Sequence, residues 1–176
     1  MQTQTPRLVL RDFRADDFKF LLELSRDPQV SRTNDYLSAD ESQLCAWLED
    51  TLASEAKEPR PSHHSVILLE ADLQKIGWIG FHLSDDPYPG KVEFGYALSP
   101  QHWNRGYMTE AVRGMLAYCF EMLKVQLVTA FHLENNPSSG RVMLKAGMKH
   151  DHEAMKEGVA GEVHFVLTAE DWRRTR

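Results

Sequence analysis

Cysteine is scarce: Cys45 and Cys119 are the two in 176 residues. Each lies in a helix-like stretch, and neither shows the close pairing of a metal or redox motif, so a reducing compartment is expected. Long apolar runs are lacking as well. The opening stretch from Met1 to Pro6 is polar and leads straight into a strand-like run. The sequence therefore predicts neither a secretory signal nor a membrane span, and the expected location is cytoplasmic with no membrane partner. Basic clusters are also missing. Twenty Lys and Arg against 26 Asp and Glu give a formal net charge of -6, with no stripe able to neutralise phosphates, which argues against direct nucleic-acid binding. No internal repeat, linker or polar low-complexity tract interrupts the chain.

What is present is the balance of a globular protein, 42% hydrophobic and 26% charged, long enough to bury a core as one domain spanning 1–176. Arg7 to Phe13 alternates as a strand, and Ala15 to Arg26 places Phe18, Leu21, Leu22 and Leu24 on one side of a helix that ends at Asp27-Pro28. Ser38-Ala39-Asp40-Glu41 reads as a capping box opening a second helix to about Ala56. Ser65 to Glu70 and Ile76 to Leu83 are strands joined by a hairpin at Ala71 to Gln74, and Lys91 to Leu98 follows the turn cluster Asp85 to Gly90.

From Tyr107 to Leu123 apolar residues recur at steps of three and four, the pattern of a helix with one buried face. Val125 to Phe131 is a strand, Asn136-Pro137 opens a helix, and Gly147 suits its left-handed C-terminal cap. Two strands, Met148 to Met155 and Glu162 to Leu167, and a short turn around Trp172 finish the chain. The order predicts an α+β (mixed α/β) fold, helices inserted around a largely antiparallel sheet.

The densest signal is the strand, turn and helix of Phe94 to Ala111. The first turn of a helix exposes unpaired backbone N–H groups and the positive end of its dipole, so an anion can sit there, with Gly106 allowing close approach. Trp103-Asn104-Arg105-Gly106-Tyr107-Met108-Thr109-Glu110-Ala111 resembles the acetyl-CoA loop of the GCN5-related N-acetyltransferase (GNAT) superfamily. Phe94-Gly95-Tyr96, the spacing Asn136-x-x-Ser139 before Lys145-Ala146-Gly147-Met148, and Trp172 resemble its RimJ/RimL-type, ribosomal-protein N-terminal acetyltransferase branch. The likeness runs from about Pro6 to the end. Two departures are Trp103, where the loop usually starts with Arg or Gln, and Gly140 in a first helical turn.

The resemblance implies a sheet splayed between its fourth and fifth strands. In that gap the pantetheine arm of acetyl-CoA adds like a strand to the main chain around Tyr96, Ala97 and Leu98. It also implies a pyrophosphate on the backbone of Asn104, Arg105, Gly106, Tyr107, Met108 and Thr109, and Asn136 on the pantetheine amides. Arg105 reads equally as a solvated loop residue, and Asn136 equally as a helix N-cap. No metal is expected: His150-x-His152 offers two ligands on one face without a third.

For the chemistry, a base must take the proton of the attacking amine. Glu93 lies inside an apolar strand and by alternation shares a face with the small residues Gly95 and Ala97, where partial burial would raise its pKa towards neutrality. It is the candidate base; the bland alternative is a residue on a wet sheet face. The branch pattern points to Ser139 as the donor to the departing sulfur, with direct attack and no acyl-enzyme. The acceptor is expected to be an amine, first the N-terminal α-amine of a protein such as a ribosomal protein. The alternatives are a small-molecule amine (polyamine, amino acid or aminoglycoside) and a non-catalytic acyl-CoA-binding module. Monomer and homodimer stay equally open.

Overall fold

The computed structural model describes residues 2–33, 40–84 and 91–174. In chain order the elements are β1 (Gln2–Gln4), β2 (Leu8–Asp12), a 3-10 turn (Ala15–Asp17), α1 (Phe18–Arg26), α2 (Pro28–Ser31), α3 (Glu41–Ser54), β3 (Ser62–Leu69), β4 (Lys75–Ser84) and β5 (Lys91–Leu98). A 3-10 turn (Pro100–His102) then leads to α4 (Tyr107–Ala117), continued by a π turn (Tyr118–Met122). The chain ends with β6 (Leu127–Leu133), α5 (Pro137–Lys145), β7 (Lys149–His150), α6 (Ala154–Glu157), β8 (Glu162–Thr168) and α7 (Ala169–Arg174).

The strands form one sheet in the order β1-β2-β3-β4-β5-β6-β8-β7, antiparallel except at β5–β6. This is the expected α+β architecture. The parallel pairing of β5 with β6 covers only Lys91, Val92 and Glu93 against Leu127, Val128 and Thr129. β4, in contrast, follows β5 all the way to Leu98. The sheet therefore opens beyond Glu93, between the fourth and fifth of the sequence-predicted strands.

Period-two alternation divides the core. One face carries Leu10, Ile67, Ile79, Phe81 and Phe94 against Met108, Val112 and Met115 of α4. The other carries Val66, Trp78 and Ala97 against Leu21, Leu24, Leu44 and Leu48 of α1 and α3. At the join of β2, α1 and β4, the fully buried Asp17 accepts from Arg11 at 2.7 and 2.9 Å and from the Arg14 amide at 2.8 Å, and pairs with Lys75 at 2.6 Å.

Several local expectations change. β1 was not foreseen, because Gln2 to Gln4 is polar; it pairs as an edge strand with Val9 to Arg11. Helix α3 is capped by Asp40, which accepts from the Gln43 amide at 2.9 Å, so Glu41 is its first residue. Ser38 and Ala39 lie outside the described residues, as does the turn cluster Asp85 to Gly90. The strand expected over Met148 to Met155 is only Lys149–His150, because the chain turns at Asp151, whose carboxylate accepts from the Ala154 amide at 3.0 Å where α6 begins. Gly147 adopts φ 100 and closes α5 with the Met148 amide on the Met143 carbonyl, as expected.

Candidate active site

The gap begins with the backbone of β5. The Ser99 amide donates to the Ile76 carbonyl of β4 at 2.8 Å, and at the other end Thr129 donates its hydroxyl to the Val92 carbonyl at 3.2 Å. Main-chain groups alternate sides along a strand, so those of Val92, Phe94, Tyr96 and Leu98 point away from β4, towards β6 or the gap. Those of Ala97 point at β4; only its side of the strand surface reaches the cleft. The Leu98 carbonyl accepts from Trp103 Nε1 at 2.7 Å. Tryptophan at the loop's first position thus ties the loop to the end of β5.

Beyond Trp103 the chain makes a tight entry into α4. Asn104 (φ 59) and Gly106 (φ 79) are both left-handed, a conformation that asparagine and glycine tolerate best. A Cβ at Gly106 would stand in ordinary contact with Arg7 Nη2, at 3.5 Å, so the left-handed backbone is what favours glycine there. The first-turn amides of α4, Gly106 to Thr109, have no intrahelical acceptors and lie at the positive end of the helix dipole.

This loop is clamped from the N-terminal segment. Arg7 donates Nη1 to the Arg105 carbonyl at 3.1 Å, stacks its guanidinium over Tyr107 at 4.6 Å and pairs with Glu110 at 2.7 Å. Glu110 also accepts from Thr5 Oγ1 at 2.7 Å and the Arg7 amide at 2.8 Å. Burial pushes its carboxyl up, but the bonds from Thr5 and Arg7 outweigh that and hold it below the usual carboxylate range.

The opposite wall is α5. Asn136 caps it: Oδ1 accepts from the Ser139 amide at 3.3 Å, while Nδ2 donates to the Thr33 carbonyl at 3.4 Å. Its side chain therefore bridges α5 to the segment after α2. Ser139 is 8% exposed, and its Oγ lies 2.8 Å from Tyr96 Oη, which also reaches the Ser139 carbonyl at 3.1 Å. Burial pushes the Tyr96 phenol up, against the pull of the Ser139 bond, so the hydroxyl stays protonated. Gly140 has a packing reason, since a Cβ there would come within 2.6 Å of His132 Nε2 on β6.

These elements enclose a cleft of about 510 Å³. Of the sequence-predicted residues, all but Glu93 and Arg105 line it: Tyr96, Ala97, Leu98, Asn104, Gly106, Tyr107, Met108, Thr109, Asn136 and Ser139. Arg105 is exposed beside it. Glu93 is half-buried at the fork, opposite Thr129 on β6 and His82 on β4. Its face of the sheet continues through the paired glycines Gly80 and Gly95 to Trp78 and Ala97. The His64 ring occupies the space that a side chain at Gly80 would need, and stands 4.8 Å from the His82 ring.

The site has the shape and polarity for a long phosphorylated thioester: main chain facing a gap, helix amides at one end, and Arg141 and Lys145 of α5 on the wall. Sequence reasoning missed the two cations, although their i,i+4 spacing put them on one face. It also missed Arg7, which lies far from the loop in sequence, and Gln29 and Val30 of α2, which wall the cleft together with Arg32 and Thr33 just after that helix.

Residues 7–149 match the family model described as an acetyltransferase (GNAT) domain. The chain is 28% identical over 173 residues to the uncharacterized N-acetyltransferase p20 of Bacillus licheniformis, covering 96% of each. Its fold is similar to that of a putative ribosomal-protein-serine acetyltransferase from Vibrio cholerae, with TM-score 0.77, 19% identity and coverage of 96% of this chain and 97% of the other. The complex of AAC(6')-Ib with ribostamycin and coenzyme A is equally near in fold, with TM-score 0.78, 18% identity and coverage of 96% and 97%.

Proposed function

The chain belongs to the GNAT acetyltransferase family and is an acetyl-CoA-dependent N-acetyltransferase, and from that premise we propose that it acetylates the N-terminal α-amine of a protein, a ribosomal protein being the leading candidate. The observation that carries the reading is the fork of the sheet. A half-buried carboxylate, Glu93, stands where β5 and β6 part, and the hydroxyl of Ser139 lines the cleft beyond it.

Acetyl-CoA supplies an activated acyl carbon and a thiolate leaving group. The main chain of Tyr96 and Leu98 holds the pantetheine arm, and the amides of Gly106 to Thr109 with Arg141 and Lys145 hold the phosphates. The amine nitrogen bonds to the acyl carbon and the carbon–sulfur bond breaks. Glu93 takes the proton the amine loses, directly or through a water, and a main-chain N–H of β5 stabilises the oxyanion. Ser139 donates a hydrogen bond to the sulfur, which leaves as a thiolate and takes its proton from solvent.

An α-amine suits this apparatus. Its pKa of about 7.7–8.0 leaves a useful neutral fraction near pH 7, whereas a lysine-like amine near 10.4 is almost wholly protonated. A carboxylate then needs only to take the proton shed during attack. The RimJ/RimL-type motifs support a peptide acceptor over a free polyamine.

The test is release of free CoA from acetyl-CoA by the purified protein. Peptides with free N-terminal Ser, Ala or Thr are compared with polyamines and amino sugars. Turnover driven by the peptides is expected; turnover driven only by small amines overturns the peptide acceptor and moves the assignment to small molecules.

A further inference from the structure

We propose that Tyr96 is a positioning residue for the reaction: its hydroxyl orients Ser139 so that the serine proton points into the cleft at the sulfur. This rests on the reading of the cleft as the acetyl-CoA site. The argument is one of counting protons. Tyr96 Oη carries one hydrogen and lies within reach of two acceptors on the same residue, Ser139 Oγ at 2.8 Å and the Ser139 carbonyl at 3.1 Å.

Two oxygens 2.8 Å apart need one hydrogen between them. If Tyr96 donates to the carbonyl, that hydrogen has to come from Ser139, and the serine has nothing left for the cleft. If Tyr96 donates to Oγ, the serine proton is released towards the cleft that both residues line. A developing thiolate favours the second arrangement, because donation by Tyr96 polarises the serine O–H as it bonds to a charged acceptor.

The rest of Ser139 is already fixed. Its amide faces the Asn136 carbonyl at 3.1 Å and Asn136 Oδ1 at 3.3 Å, so the hydroxyl rotor is the one freedom left to set. Without the phenol, a serine in a first helical turn turns back to a main-chain carbonyl three or four residues earlier. The proton would then be spent on Asn135 or Asn136. The high pKa of the phenol fits this role, since it keeps Tyr96 a donor throughout.

The experiment compares CoA with desulfo-CoA by calorimetry, at neutral pH and at a pH where the free thiol is ionised. It uses the wild type, Tyr96→Phe, Ser139→Ala and the double variant. Phenylalanine keeps the ring that stacks on Phe94 at 5.9 Å, and desulfo-CoA binding reports an intact cleft. The preference for CoA in the ionised-thiol condition is expected to fall about tenfold in Tyr96→Phe, as it does in Ser139→Ala, with no further loss in the double variant.

With an active acceptor, kcat should fall in Tyr96→Phe while KM for acetyl-CoA holds. A Tyr96→Phe preference equal to wild type, with Ser139→Ala impaired, overturns the role of Tyr96 alone. A wild type that does not discriminate the two ligands overturns the assignment of Ser139 to the sulfur, and this proposal with it.

Discussion

Glu93 shows how much one residue's place depends on its strand. Alternation assigned it to the face of Gly95 and Ala97, and the register puts it there, across from His82 and at the last pair before the sheet opens. Substitution Glu93→Gln keeps the size and removes the proposed base. The expectation is a fall in kcat of about 10²–10⁴-fold with the dissociation constant for acetyl-CoA unchanged, read by steady-state rates and by titration. An unaltered rate at neutral pH would remove Glu93 from the mechanism. Asn136 and Ser139 were legible as a spaced pair, and both functional and capping readings stood open for Asn136. The fold gives its side chain to α5 and to the Thr33 carbonyl. The Tyr96–Ser139 contact joins residues 43 apart in sequence, and no local pattern announces it.

Among the elements, the loop into α4 carries most of the sequence signal, because its requirements are local: left-handed residues at Asn104 and Gly106 and a helix start just after them. What keeps the loop in place is remote. Glu110 gathers Thr5 and Arg7, and Arg7 reaches the Arg105 carbonyl and the Tyr107 ring. Replacing Glu110 with Ala leaves these donors without their acceptor. It should cost about 1–3 kcal/mol of stability, measured by denaturant midpoint. KM for acetyl-CoA should rise with kcat little changed, since in the proposed mechanism the loop binds acetyl-CoA but does no chemistry; an unchanged KM would show that the loop holds its shape without the clamp. The short helix α2 is the reverse case. Asp27-Pro28 reads as a stop, and so it is for α1, but Asp27 also caps a new turn through the Gln29 amide at 2.8 Å, and that turn walls the cleft.

At the scale of the whole molecule, two adjacent histidines on β3 couple folding to pH. His63 stacks on Phe81 at 4.8 Å with its Nδ1 unpartnered among the described residues, and burial with nearby Arg60 lowers its pKa to about 4. His64 sits against Trp47 and His82, and burial lowers its pKa to about 3. Both are neutral when folded and titrate at about 6.5 when unfolded. The unfolded state therefore binds the extra protons, so stability is full above pH 6.5 and drains as the pH falls towards the folded values. Each histidine contributes a slope of about 1.4 kcal/mol per pH unit within its window. Denaturant unfolding across that range should show the loss, and His64→Gln should flatten the slope whatever it does to absolute stability; an equal slope would mean that His64 is not a source. By itself, the sequence determined what depends on near neighbours: the alternating strands, the amphipathic helix after the loop, the left-handed cap at Gly147 and the order of elements that makes this sheet. Tertiary structure alone decided what depends on long-range register. It decided where the parallel pairing stops and so where Glu93 stands, which distant arginine clamps the loop, and which tyrosine meets Ser139. Those are distances between strands and helices far apart in the chain, and period and propensity carry no information about them.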